Sequence, residues 1–201
     1  MLNIKDVNFI KSAADTDGLI LDGRIHIAVA GKSNVGKSSF INMLLNRNGA
    51  ARVSGTPGRT RLINYFDVTV NGGGFILADL PGYGYARVSK EEKSGWGRLI
   101  ETYLCSTPGI YVFLLTDIRH LPTDDDKKLI QYLHVKAVPF YIIANKSDKQ
   151  SRTQNFKSVK DIASALKMGE QNIICVSSLK KTGRDDVLLK IEDILTQTEQ
   201  I

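Results

Sequence analysis

Six short apolar runs divide the chain: "RIHIAVA" (24–30), "LINYFDVTV" (62–70), "FILADL" (75–80), "IYVFLLTD" (110–117), "PFYIIAN" (139–145) and "NIICVS" (172–177). Most are rich in β-branched or aromatic residues and continuous, as strands buried in a parallel sheet are. Stretches of helical character lie between them, at about 37–46, 90–105, 123–134, 155–167 and 184–198. This alternation predicts an α/β domain, a mostly parallel sheet with helices on both faces. The exception is the tight turn "NGGG" (71–74), which joins two runs directly. The 62–70 strand should therefore be antiparallel, at or near one edge. Residues 1–23 read as an N-terminal extension whose "VNFI" is a candidate further strand, and 24–201 as a single domain.

Composition changes this picture little. The 201 residues, 42% hydrophobic, suffice for one full core. A formal charge of +6 and a pI near 9.3 suggest attraction to a polyanion, although basic solubility explains many such values. Cys105 and Cys175 each lie in an apolar-looking element and are expected to be buried free thiols, which suits a reducing cytoplasm. The N-terminus carries charges too early for a secretory signal, and no run approaches a membrane span. A soluble, cytoplasmic protein is expected.

Chemistry enters at "GKSNVGKS" (31–38), which fits G-x-x-x-x-G-K-[ST] with an apolar strand before it and a helix after it. The loop Gly31, Lys32, Ser33, Asn34, Val35 and Gly36 would wrap a phosphate chain in backbone N–H groups, aided by the helix N-terminus. Lys37 would reach the β- and γ-phosphates, and Ser38 would ligate Mg²⁺. Asp79, Leu80, Pro81 and Gly82 form D-x-x-G at the carboxyl end of a strand, where ligands of open α/β sheets bind. Asp79 is the natural acid to hold a magnesium water, and the Gly82 N–H could sense the γ-phosphate. The fold class is therefore that of a P-loop NTPase.

The base is read from "NKSD" (Asn145, Lys146, Ser147 and Asp148). A carboxylate at Asp148 accepts from both N1–H and the 2-amino group of guanine, whereas adenine has an acceptor at N1 and no 2-amino group. GTP is the expected ligand and an ATP-dependent kinase is nearly excluded. Asn145 would tie the base loop to the phosphate loop and contact the base, and the Lys146 stem would cover one face of the ring. Ser177, Ser178 and Leu179 would complete the pocket through backbone N–H groups near the guanine O6.

With these pieces in linear order, the chain resembles translation-factor-type GTPases of the Era, TrmE and septin branch, and more closely the bacterial EngB (YihA/YsxC) family. The resemblance rests on "GKSNVGKSSFIN", "TPGRTRLINYF", "DLPGYGYA", "NKSD" and "VSSLKKTG", spanning roughly residues 24–185. It implies GTP and Mg²⁺ as ligands, Thr60 as a switch-loop magnesium ligand, and contact of Gly58, Arg59, Thr60, Arg61 and Leu62 with the nucleotide. Without the family pattern, Thr56 and Thr60 are both open as that ligand. The resemblance further implies a role in large ribosomal subunit assembly and in normal cell division and septation. Rival readings are a nucleotide-dependent binding module with negligible turnover and a septation factor acting on division proteins.

Many switches follow D-x-x-G with a glutamine, but here Tyr83 follows and lacks a carboxamide to orient water, so slow hydrolysis is expected. Lys37, Thr60, Gly82 and Asn34 are the candidate catalytic residues. In some GTPases of the resembled branch, asparagine at the Asn34 position helps bind a potassium ion; ordinary loop stabilisation is the other reading. A partner completing the site is a further possibility. Arg47, Arg52, Arg59, Arg61, Arg87, Lys90, Lys93 and Arg98 cluster in sequence with Tyr83, Tyr85 and Trp96. Such a set could face rRNA and ribosomal proteins of the large subunit or its precursor. A monomer is expected. "TDDDKK" (123–128) reads as a helix cap with acids in the first turn rather than a metal site.

Overall fold

The computed structural model describes residues 2–47, 49–51, 62–83 and 90–198. In chain order the elements are β1 (Ile4–Ala13), β2 (His26–Gly31), α1 (Lys37–Leu44), β3 (Ile63–Val70), β4 (Gly73–Asp79), α2 (Lys90–Ser106), β5 (Ile110–Asp117), α3 (Asp124–Val135), β6 (Phe140–Asn145), α4 (Arg152–Leu166), β7 (Ile173–Cys175) and α5 (Arg184–Thr198). The strands form one sheet of order β1-β3-β4-β2-β5-β6-β7. β3 runs antiparallel to both its neighbours, and every other pairing is parallel. The sheet is thus mostly parallel with one antiparallel strand beside an edge, as the hydrophobic pattern and "NGGG" led us to expect.

Strand periodicity builds the two helical layers. Ile27 and Val29 of β2 point into a core with Phe40 and Leu44 of α1 and Val187 and Ile191 of α5. Ala28 and Ala30 point the other way, into a core with Tyr103 of α2, Leu133 of α3 and Ile162 of α4. Apolar residues at successive positions therefore serve opposite faces, which is why these runs lack polar alternation.

Local sequence sets the helix starts. At α3 the Thr123 hydroxyl accepts from Asp126 N at 3.4 Å while the Asp126 carboxylate accepts from Thr123 N at 2.7 Å, a capping box. Ser151 and Gln154 form the same device at α4, which begins at Arg152, earlier than the helical pattern alone suggests. β1 covers residues on both sides of "VNFI". It forms the sheet edge, with the Phe9 ring edge-on to Phe66 at 5.7 Å.

A buried polar cluster stands at the opposite end of β2 from its glycine. The His26 ring is fully buried, with Nδ1 2.8 Å from the Tyr103 hydroxyl and Nε2 3.2 Å from Asp22. Burial lowers the His26 pKa despite the Asp22 carboxylate, so the ring is held neutral. Neutral imidazole fits both partners if the tyrosine donates to Nδ1 and Nε2–H donates to Asp22. Arg24 and His26 in turn bring Asp22 down to about 2. A depressed histidine contributes stability that is complete above its unfolded value near 6.5 and is lost as pH falls through the folded value. The midpoint of thermal unfolding should therefore fall between pH 7 and pH 5, before carboxylates titrate, and His26→Gln should flatten that slope. An unchanged slope in the variant would contradict the assignment.

Parallel pairing brings the carboxyl ends of β2, β4, β5 and β6 to one side. Val29 lies opposite Asp79, Gly31 opposite Leu115, and Asp117 opposite Asn145.

Candidate functional site

The loop after β2 needs glycine at both ends, for different reasons. A Cβ on Gly31 would lie 2.9 Å from Val35 Cγ1 and 3.1 Å from Leu115 Cβ. Gly36 has φ +100°, and a Cβ there would come within 2.7 Å of Asn145 Nδ2. Between them Asn34, exposed, takes φ 66°. Lys32 O accepts from Val35 N at 3.2 Å, and Gly36 O accepts from Phe40 N at 2.8 Å as α1 begins. The loop is a tight cradle leading directly into Lys37 and Ser38 of the first helical turn.

β4 delivers its acid beside this cradle. Lys37 Nζ forms an ion pair with the Asp79 carboxylate, the two side chains being only 12% and 6% exposed. After Asp79, Leu80 N donates to Val29 O at 3.0 Å, and Pro81 is buried. Gly82 sits against the loop, since a Cβ there would meet Ser33 Oγ at 3.1 Å. Tyr83 then pairs with the loop as a short parallel bridge: Ser33 N donates to Tyr83 O at 3.1 Å and Tyr83 N to Gly31 O at 3.4 Å. The phenol turns to α3 and donates to Asp126 Oδ1 at 2.5 Å. Burial, reinforced by Asp126, raises the Tyr83 pKa far above its ordinary value. Tyr83 is therefore committed inward, which corrects its expected place on a partner-facing surface.

At the other end of the cradle, Asn145 joins three loops. Its Nδ2 donates to Val35 O at 3.2 Å, while its Oδ1 accepts from Ser178 N at 3.1 Å and Ser178 Oγ at 3.0 Å. Lys146, at φ 68°, places Nζ 3.2 Å from Asn34 O and 3.0 Å from Asp117. Burial would raise the Asp117 carboxyl, but Arg119 and Lys146 hold it well below the usual range. Ser147 N donates to Val176 O at 3.0 Å. Ser177 Oγ donates to Asp148 Oδ1 at 2.6 Å and lowers its pKa, so this acceptor stays charged. Leu179 is 70% exposed beside it. Gly183 closes the last loop at φ +76°, where a Cβ would collide with Cys175 O at 2.3 Å.

The structure thus gathers Gly31 to Ser38, Asp79 to Gly82, Asn145 to Asp148 and Ser177 to Leu179 on one side of the sheet. Leu62 is half-buried just before β3, whereas Gly58, Arg59, Thr60 and Arg61, and also Thr56, lie outside the described residues. So do Arg52, Tyr85 and Arg87, and the side chains of Lys90, Lys93 and Trp96. Of the basic set, Arg98 is exposed and Arg47 donates to the Val7 carbonyl of β1. Cys175 is half-buried and Cys105 exposed, which corrects the expectation of two buried thiols; both are free. Asp126 at the capping box and Asp117, which anchors Lys146, were not anticipated as site residues. Asp117 ends an apolar strand as Asp79 does, and that shared signature was the available signal. Among the described residues no helix is long and apolar enough to cross a membrane.

Known proteins share the sequence pattern and the fold. A family profile described as "50S ribosome-binding GTPase" matches residues 26–146. A probable GTP-binding protein EngB of Alkaliphilus metalliredigens is 44% identical over 200 residues, covering 98% of this chain and 95% of the relative. Its counterpart in Clostridioides difficile is 43% identical, covering 99% and 96%. The crystal structure of a probable GTP-binding protein engB superposes with TM-score 0.68 at 19% identity, over 86% of this chain and 99% of that one. Era in complex with MgGDPNP and a segment of 16S ribosomal RNA superposes with TM-score 0.69 at 21% identity, over 85% of this chain and 56% of that one. At these identities the two structures speak for the fold alone, and the near full-length relatives carry the assignment: the chain belongs to the EngB family of GTP-binding proteins.

Proposed function

We propose that this GTP-binding protein is a slowly hydrolysing GTP switch whose GTP form engages the large ribosomal subunit or its precursor, through rRNA and ribosomal proteins, and supports normal cell division and septation. We assign it to the cytoplasm as a monomer. The observation that carries the nucleotide part is Asn145, whose carboxamide ties the phosphate loop, the base loop and the 177–179 loop together. Asp148, aligned by Ser177, accepts from the guanine N1–H and 2-amino groups, and the Lys146 stem covers the ring with its ammonium anchored on Asp117. In the 177–179 loop Ser177 N donates to Thr182 O and Ser178 N to Asn145 Oδ1, so the Leu179 N–H is the loop's donor for the guanine O6.

At the triphosphate end Lys37 exchanges Asp79 for the β- and γ-phosphates, the loop 31–36 donates backbone N–H groups, and Gly82 N–H meets the γ-phosphate. Residues 58–62 would contact the nucleotide, as the family pattern implies. Asp79 and Ser38 suit a hard cation, being oxygen donors at the mouth of the cradle. Ser38 and Thr60 would hold Mg²⁺ directly and Asp79 through water, and a bound ion would neutralise charge developing on the phosphates.

Turnover is slow because residue 83 has no carboxamide and its phenol is held by Asp126. Asn34, with its side chain exposed at the rim of the cradle, would hold a potassium ion there. Hydrolysis should then run faster in K⁺ than in Na⁺ buffer, and equal rates would contradict that role. The partner assignment draws on the "50S ribosome-binding GTPase" profile and on the basic residues clustered in sequence between Arg47 and Arg98. Its test is GTP turnover with added large-subunit particles: a severalfold rise is expected, and a flat response would refute it.

A further inference from the structure

The D-x-x-G loop is held from two sides in the described residues. Its backbone is zipped to the phosphate loop through Tyr83 N to Gly31 O and Ser33 N to Tyr83 O. Its next side chain is anchored on the opposite element, where the Tyr83 phenol donates to Asp126 at 2.5 Å. Asp126 is itself immobilised. It is 5% exposed, and its other oxygen accepts from Thr123 N and Thr123 Oγ1, both at 2.7 Å. Gly82, immediately before Tyr83, has Ser33 on one side, so neither end of this short segment is free to drift.

We propose that the Tyr83 phenol and the Asp126 carboxylate form a latch that holds Gly82 against the phosphate loop, making Tyr83 and Asp126 positioning residues for recognition of the γ-phosphate. Asp126 thereby serves two functions with separate oxygens: Oδ2 caps α3, and Oδ1 receives the latch. A tyrosine suits this task where a glutamine would not. Its rigid ring reaches across to α3 through a core-packed path, and it carries a single terminal donor. The latch makes α3 part of the nucleotide-sensing apparatus although α3 contributes nothing to the phosphate or base loops. It rests on the assignment of the Gly82 N–H to the γ-phosphate.

The test compares the affinities of GDP and a non-hydrolysable GTP analogue for the wild-type protein, Tyr83→Phe, Asp126→Leu, the double variant and Gly82→Ala, with thermal unfolding measured in parallel. Tyr83→Phe keeps the ring and removes the bond, and should weaken the GTP analogue by about three- to tenfold, the worth of one ordinary hydrogen bond, while leaving GDP within about twofold. Asp126→Leu removes the acceptor and should show the same selective loss along with a lower unfolding temperature from the lost cap. The double variant should be no more selective against the analogue than either single one. Tyr83→Phe shifting both nucleotides equally, or neither, would overturn the latch, as would additive selectivity losses. Gly82→Ala separates the two levels. A changed GTP-to-GDP ratio there with none in Tyr83→Phe defeats the latch alone, and an unchanged ratio in Gly82→Ala defeats the Gly82 assignment and the latch with it.

Discussion

Asp148→Asn should turn a guanine-binding protein into a xanthine-binding one. In the proposed site the carboxylate would offer two acceptors to the guanine N1–H and 2-amino group, and an asparagine amide would instead point a donor at the 2-amino group. Two charge-assisted bonds of about 1.5–3 kcal/mol each are at stake, so GTP affinity should fall by roughly 10²- to 10⁴-fold. Xanthine carries an oxygen at position 2, which the amide can donate to, and XTP should bind in its place. The pocket should survive the change, because asparagine still accepts from Ser177 Oγ, now 2.6 Å from Asp148, and the loop stays anchored by Ser147 N to Val176 O. Competition binding with GTP, XTP and ATP reads the result. A variant that still prefers GTP would remove Asp148 from base recognition.

Lys37→Ala should have two separable effects. In the proposed mechanism loss of the ammonium would take a fixed positive charge away from the developing charge of the transition state, and hydrolysis should fall by about 10²- to 10³-fold. In the absence of nucleotide the same change strands the Asp79 carboxylate, which is 6% exposed and paired with Lys37. Breaking such a pair costs about 3 kcal/mol, visible as a lower denaturant midpoint. Adding Asp79→Asn to Lys37→Ala should return most of that stability and none of the activity. Unchanged stability in Lys37→Ala would show that the ion pair contributes nothing to the fold.

Much of this architecture was legible in the sequence because its cues are local. A buried parallel strand needs apolar residues facing both ways, so "IYVFLLTD" and "PFYIIAN" stand out as continuous runs. The edge strand β1 is harder to see: only Val7 and Ala13 are buried in it, Ile4 is half-buried, and its remaining positions are polar or lie exposed like Phe9. The start of α4 at Arg152 was encoded in Ser151 and Gln154, a capping signature that periodicity alone passes over. Cys105 shows the converse, since a residue within an amphipathic helix takes its burial from the face it occupies, not from its apolar neighbours.

The candidate site divides in the same way. "GKSNVGKS" and "NKSD" announce themselves because a phosphate cradle and a base loop are each built from consecutive residues. The ties between them are not consecutive. Lys37 meets Asp79, Tyr83 meets Asp126, and Lys146 meets Asp117 only after β2, β4, β5 and β6 have aligned their carboxyl ends. Tyr83 is the instructive case. Its sequence position suggested a gap where glutamine was expected, and an aromatic free to meet a partner. Its inward phenol, resting on an α3 cap, became visible only with strand order and helix placement in hand.

In the proposed function, nucleotide state gates association with the large ribosomal subunit. Co-sedimentation of the protein with large-subunit particles, in GDP and in a non-hydrolysable GTP analogue across a salt series, tests it most directly. Association should be strong with the analogue and weak with GDP, and should decline steeply as salt rises, as phosphate contacts do. Equal association in both nucleotide states would rule out the switch.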